Sequence, residues 1–520
     1  MQTESLAGFR ISPQQERIVA FAGDAGAPVS ACLYECVGPV DVQALRAALV
    51  NVLGRHEILR TVFRKHRELK LPLQMILDEQ TLDMRVEDLT RLSSEDQRHE
   101  LRRRFAAAAR EFRTASEVPV VSSTVFRLSD GKHALLLAMP SLCVDAASFG
   151  VLAEELRQVL SGESLAGDLL QYVDVTEWQH DLLDGSEDAA VAAKMFWRDQ
   201  VHTPLLLPLE AGERESGSTE RVCVGISRES VERLRAVAEE NGVNAEDVLL
   251  TAWHLLLSRV TVEARTAVLT ASDGREYDEI KNAVGPFSRY LPVTVDFEGK
   301  SRFDETLRSV AALSKQGRSQ QDWFAPGSSA AKPGIGFEFH DLRGPVAGGD
   351  SRIAIRPVAV RVVLEKLKLR LIATDMNAGL SVDLEYDSGR YSRESMEQLA
   401  SSFEVELAQA LTNPRIPVGS LSLLAGPAKE RLLAMGAGIS VAVVSGGIHW
   451  LISAQGLRSP GAEAVRSGAD VLTYAELEAR ANRLAHWLVK LGVRRGSLVG
   501  LCVSRSAEMM VAVLAILKAG

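Results

Sequence analysis

Three reactive side chains crowd into one short stretch, Met139-Pro140-Ser141-Leu142-Cys143-Val144-Asp145-Ala146-Ala147, where an apolar strand pattern gives way to a helical one. Ser141 and Cys143 are candidate nucleophiles, and Asp145 is a candidate catalytic or ion-pairing carboxylate. A covalent mechanism at Cys143 needs a lowered thiol pKa and a nearby base. The nearest histidine in sequence, His133, begins the same strand, so Cys143 reads as a small apolar filler. Ser141 lacks a base for the same reason, and no GxSxG elbow surrounds it. Its hydroxyl can accept a hydrogen bond and orient a bound group but cannot act as a general base unaided. Asp145 is placed to cap a helix over 146–160. Two other histidines compete for a chemical role. His56, in Arg55-His56-Glu57-Ile58-Leu59-Arg60-Thr61-Val62-Phe63, reads as structural, near a helix end. His340, in Gly336-Phe337-Glu338-Phe339-His340-Asp341, is an alternative base whose plainer reading is a solvent contact at a strand end.

The elements around these residues form an α/β pattern in two halves, each able to hold a sheet covered by helices. In the first half, 28–37 is apolar and β-branched, and Asp41 caps a helix that buries Leu45, Ala48, Leu49 and Val52. A charged amphipathic helix over 94–113 precedes strands at 118–127 and 133–139, the second apolar enough to be central. In the second half, Ser227 caps a helix that ends at Asn241-Gly242, and Asn244 opens a strongly apolar helix. Strands follow at 266–270, 290–297, 335–339, 368–374 and 380–386, with helices at 303–317 and 392–411. Trp178, Trp253 and Trp323 are expected in the core. Residues 413–460, rich in Pro and Gly, read as a linker. Helical periodicity resumes at Leu477, Ala481, Leu484 and Leu488, and a strand is expected over 498–503. The tail has almost no core of its own and reads as the truncated start of a further domain.

Bulk properties exclude several classes. At 520 residues, two to four compact units are expected. A net charge of −9 with scattered Lys and Arg argues against a nucleic-acid binder. No apolar run reaches the length of a membrane span. Five dispersed cysteines supply no zinc-site spacing, so no metal is expected, and the reduced cytoplasm is the default compartment.

Several segments, in order, resemble the condensation domains of nonribosomal peptide synthetases. Phe9-Arg10-Ile11-Ser12-Pro13-Gln14-Gln15 is similar to the opening motif. Residues 55–63 match RHExLRTxF closely. Tyr172 to Gln179 is similar to YxDYAxWQ, and Val284-Gly285-Pro286-Phe287-Ser288-Arg289-Tyr290-Leu291 sits where the family has (I/V)GxFxNxL. The stretch at 140–146 lies on HHxxxDG, with Pro140 and Ser141 in place of the histidines, Asp145 kept and Ala146 replacing the glycine. Residues 448–520, including Leu472-Thr473-Tyr474-Ala475-Glu476-Leu477 and Leu517-Lys518-Ala519-Gly520, resemble the start of an adenylation domain.

The resemblance implies two chloramphenicol acetyltransferase-like lobes in a V, here 1–170 and 171–425, then a linker over 426–460 and an adenylation-domain start over 461–520. It implies amide formation between an upstream acyl thioester and a carrier-bound aminoacyl thioester. Upstream and downstream carrier proteins would bring phosphopantetheine arms into a tunnel between the lobes, with no cofactor held by this chain itself. The rest of the adenylation domain would be a further partner, and the short segment before the opening motif suggests a place at the start of an assembly line. Ser141 would stand in the catalytic position. Asp145 would pair with an arginine of the RHExLRTxF segment, Arg60, with Arg55, His56, Pro140 and Ala146 shaping the site. Pro140 also disfavours the cyclising DxxxxD variant. Without the histidine, the alternatives are a catalytically silent scaffold that docks carrier proteins and a platform that recruits a trans-acting enzyme.

Overall fold

A computed structural model describes residues 8–520 apart from 24–25, 67–68, 79–81, 112–120, 166, 186–187, 201–204, 212–217, 325–333, 344–352, 377–378 and 438–445. Parts of the expected strand at 118–127 and of the Gly-rich linker lie outside the described residues. The chain divides into two compact units, Met1–Lys429 and Glu430–Gly520.

The first unit holds two sheets. The first orders its strands Ala354–Arg361, Val29–Val37, His133–Pro140, Ser122–Arg127 and Asp83–Asp88. His133–Pro140 is central, and its apolar run is explained by burial on both faces. Leu135, Leu137 and Met139 pack with helices Val42–Arg55 and Ala146–Leu160, while Ala134, Leu136 and Ala138 pack beneath helix Ser94–Glu111. The second sheet orders Thr219–Val224, Gly379–Asp387, Leu367–Met376, Gly334–Asp341, Arg265–Ser272 and Arg289–Asp296. One of its faces, with Phe337, Leu369, Leu371 and Leu384, packs against Trp253 of helix Ala245–Thr261 and Phe403 of helix Arg393–Thr412. The expected caps are formed: Asp41 and Ser227 accept from backbone N–H groups, and Gly242 ends its helix with φ +65°.

One strand crosses the boundary expected at residue 170. Ala354–Arg361, far into the second half of the sequence, pairs antiparallel with Val29–Val37 and so completes the first sheet. It covers an edge that would otherwise offer unpaired backbone groups. Its own position at the sheet edge tolerates Pro357, which lies at the register shift opposite Leu33 and Tyr34.

The second unit departs from expectation twice. The region expected to be a linker contains helices Gly426–Gly436 and Ile448–Arg458. Residues 498–503 form no strand. A strand needs a ladder partner, and the described residues of this unit make one two-stranded sheet, Glu463–Ser467 with Asp470–Thr473. Leu498, Leu501 and Val503 are accordingly exposed. Helices Tyr474–Lys490 and Ala507–Ala519 pack together through Leu477, Ala481, Val511 and Leu514.

Candidate functional site

Strand His133–Pro140 delivers the motif. Pro140 pairs with Val29 at the strand end, where its missing N–H costs no ladder bond in the sheet interior. The Ser141 N–H then donates to the Pro28 carbonyl (2.8 Å), and the Cys143 N–H closes a turn onto the Pro140 carbonyl (2.9 Å). Asp145 caps the next helix: the Ser148 N–H and hydroxyl donate to its Oδ1 at 2.8 and 2.7 Å. Ala146 is the first residue of that helix.

Asp145 is also the knot between the two halves. Arg275, just beyond strand Arg265–Ser272, donates from Nη1 to Oδ2 (2.8 Å) and from Nη2 to Oδ1 (2.9 Å). The N–H groups of Phe287 and Ser288 each donate to Oδ2 at 3.0 Å, and the Ser288 hydroxyl adds a third contact at 3.1 Å. Two glycines make this approach possible. Gly274 adopts φ +75°, and a Cβ there would lie 2.3 Å from the Phe287 carbonyl oxygen. A Cβ on Gly285 would lie 2.1 Å from the Tyr172 ring. That ring meets Phe287 edge-on at 4.9 Å, and the Arg275 guanidinium stacks 4.5 Å from the Phe287 centroid.

The expected Asp145–Arg60 pair is therefore corrected to Asp145–Arg275. Arg60 lies in the short helical turn Glu57–Arg60 and spends its guanidinium on the Leu77 carbonyl and on Glu57 (3.1 Å). It is drawn toward the hairpin of Thr61–Arg64 and Leu73–Ile76 rather than toward residue 145.

Burial pushes the Asp145 carboxyl up, but the Arg275 charge, with hydrogen bonds from Arg275 and Ser148, outweighs it and holds the group below the usual carboxylate range. Its side chain is wholly buried, and both oxygens are surrounded by donors. A carboxylate has about four lone-pair sites, so Asp145 has none left for a substrate proton.

Ser141 is fully buried, and its Oγ lies 2.7 Å from the Oγ of Ser30. A hydroxyl facing a hydroxyl has no group to take its proton. Cys143 is buried, and burial pushes its thiol up to about 12, which agrees with an inert filler. His56 is buried and holds Glu155 of the capped helix at 2.7 Å, while Arg55 approaches the same carboxylate at 3.2 Å. This is a structural corner. His340 sits on the second sheet with Nε2 3.1 Å from Glu338, whose carboxylate also engages Tyr290 and Arg370. The structure brings Ser141, Pro140, Asp145 and Ala146 together as one turn and places His340 in a separate network. Trp253 is in the core, but Trp178 is exposed, edge-on to Tyr277 at 5.5 Å. Among the described residues, no His, Cys, Asp and Glu cluster suits a metal.

Arg275, Ser148 and Arg289 carry the seam between the halves, and only Arg289 lay in a segment matched by motif. Arg275 follows a strand end in Ser272-Asp273-Gly274-Arg275. The Asp-Gly turn was a visible signal, but its target lies 130 residues away. Beside Ser288 and Arg289, the seam holds a partly open pocket of about 40 Å³, space for about three waters.

The Condensation domain family matches residues 11–323, more than half of the chain, and the AMP-binding enzyme family matches residues 452–520. Chondramide synthase of Chondromyces crocatus is 28% identical over 507 residues. That match covers 93% of this chain but 13% of the relative, so the chain spans about an eighth of that protein's length. A holo four-domain nonribosomal peptide synthetase bound to AMP and glycine superposes with TM-score 0.71 at 16% identity, over 99% of this chain and 41% of the other. The X-domain from teicoplanin biosynthesis, in complex with OxyB, gives TM-score 0.64 at 21% identity, over 82% of this chain and 97% of that one. Two chloramphenicol acetyltransferase-like lobes built on the two sheets, the motifs in order and the family match converge: the chain belongs to the condensation-domain family of nonribosomal peptide synthetases, followed by a partial AMP-binding segment.

Proposed function

We propose that this domain serves its assembly line as a docking and spacing element for carrier proteins rather than as an amide synthase. The observation that carries this reading is Ser141. By its resemblance to HHxxxDG it stands in for the motif histidine, and it is fully buried and faces another hydroxyl. Amide formation from a thioester gains from a base or acceptor that meets the incoming amine and from donors at the developing oxyanion. Here the residue in that position is buried and bonded to Ser30, and the neighbouring carboxylate is held by Arg275. The intact Asp145 knot supports a domain whose architecture is kept while its chemistry is not.

The partners on this reading are an upstream acyl or peptidyl carrier protein and a downstream peptidyl carrier protein, whose phosphopantetheine arms carry the acyl groups. The fold itself is compatible with service as a binding surface, since the X-domain with which it superposes is seen in complex with OxyB. Calorimetric titration of the domain with phosphopantetheine-bearing carrier proteins tests the proposal. Saturable binding of a carrier, unchanged in Ser141→Ala, is expected. Absence of binding to any carrier of the assembly line would defeat the docking role.

A further inference from the structure

A further residue out of character for the family lies at the seam. Arg289 stands where the matched segment (I/V)GxFxNxL has asparagine, and its side chain is buried. Nη2 lies 3.2 Å from Oδ1 of Asp322, and Nη1 donates to the Gln321 carbonyl. With its amide turned to satisfy both ends, Gln14 accepts from Arg289 Nε at 2.9 Å and donates to Gln179 at 3.0 Å. Asp322 also accepts from the Tyr277 hydroxyl (3.1 Å). The Gln321 side chain links to Ser272 (2.9 Å) and Glu276 (3.1 Å).

These bonds form a belt from helix Pro13–Ala22, through helix Tyr172–Asp184, to the second sheet. Arg17 reinforces it with a two-point pair to Glu365 at 2.6 and 3.0 Å. The small pocket lies inside the belt, lined by Pro13, Gln14, Leu183, Ser288, Arg289 and Phe324 among others. Its inner wall, Ser288, is the residue whose N–H and hydroxyl hold Asp145. A guanidinium is far larger than an asparagine amide, and here its charge is neutralised by a buried carboxylate, so it stays where it is.

We infer that Arg289, clamped by Asp322, is the residue that decides access to the seam: it fills the passage between the Leu183–Phe324 side and Ser288 and shuts out a pantetheine-sized arm. The inference deepens the docking role and rests on it. It gives the reason an arm delivered by a docked carrier does not reach residue 141.

Removing Arg289 alone would leave Asp322 a buried charge without its cation, which destabilises strongly. The test therefore uses R289N/D322N, with R289Q/D322N as a second variant that keeps more side chain and more hydrogen bonds should the first fail to melt cooperatively. Saturation-transfer NMR with free pantetheine at millimolar concentration reads access directly. The wild-type chain should give no transfer to pantetheine, and the folded double variant should give clear transfer. Equal transfer in both, or none in either folded variant, overturns the inference. Amide formation by the wild-type chain would instead overturn the docking role, and it is read in a separate assay.

Discussion

Replacing Asp145 with asparagine tests the knot between the lobes. Asparagine keeps the volume and the N-cap preference but removes the charge that faces Arg275. The arginine side chain is 3% exposed and the aspartate 0%, so D145N leaves a buried guanidinium without its counterion. Breaking a buried pair by removing one partner costs about 3–5 kcal/mol. R275Q alone strands the carboxylate and should cost a similar amount. D145N/R275Q removes both charges, so its cost should fall short of the sum by about 2 kcal/mol, within the range seen for directly bonded residues. Urea unfolding followed by far-UV circular dichroism, with each variant's midpoint and slope, closes the cycle. R60Q is the control. Arg60 pairs with the partly exposed Glu57, should cost less than about 1 kcal/mol in that pair, and should add to D145N without coupling. The pH dependence has a fixed sign. The folded Asp145 carboxyl is held below its unfolded value, so its contribution is present above about pH 4 and is lost as pH falls through the folded value. Acid unfolding of the wild type should therefore be steeper below about pH 4 than that of D145N. A D145N cost under about 1 kcal/mol, or strict additivity with R275Q, would refute the reasoning.

Ser141→Ala should cost about 1–2 kcal/mol by leaving the buried Ser30 hydroxyl without its partner, and S30A/S141A should recover most of it, by the same urea titration. Glu406 is buried in helix Arg393–Thr412 with its carboxyl pushed up to about 8 by burial, and Arg259 opposes this only in part. A raised folded pKa means stability is full below the unfolded value and is lost as pH rises through about 8. Glu406→Met should therefore stabilise by about 2–3 kcal/mol at pH 7 and hardly at all at pH 4, in melts at the two pH values. Iodoacetamide followed by peptide mass spectrometry should label the exposed Cys223 and Cys502 first and leave Cys32, Cys36 and Cys143 unmodified until urea unfolds the chain.

Most of the fold was legible because its signals are local. Helical spacing placed Leu45, Ala48, Leu49 and Val52 inward, and all four are buried. The apolar run 133–139 marked the central strand, and Asp145 in the cap position was readable from its neighbours alone. What escaped depends on distant partners. Strand Ala354–Arg361 mixes arginine and proline with its apolar residues, and only pairing with Val29–Val37 makes it a strand. Residues 498–503 have the reverse problem, a strand-like composition without a ladder partner among the described residues. The Arg275–Asp145 pair joins residues that a local pattern cannot connect, and the resemblance pointed to Arg60 instead. The setting of Ser141 was half legible: the missing imidazole was evident from the residue types, but the contact with Ser30 needed the register of two strands.

The reconstituted condensation itself tests the central claim most directly. Donor and acceptor carrier proteins, each loaded with its thioester, are mixed with and without the domain at pH 7, and amide product is followed by intact-protein mass spectrometry. A rate with the domain equal to the rate without it is the predicted result. Amide formed much faster in its presence, and lost in Ser141→Ala, would contradict the account and make that serine the working residue of an acyltransferase.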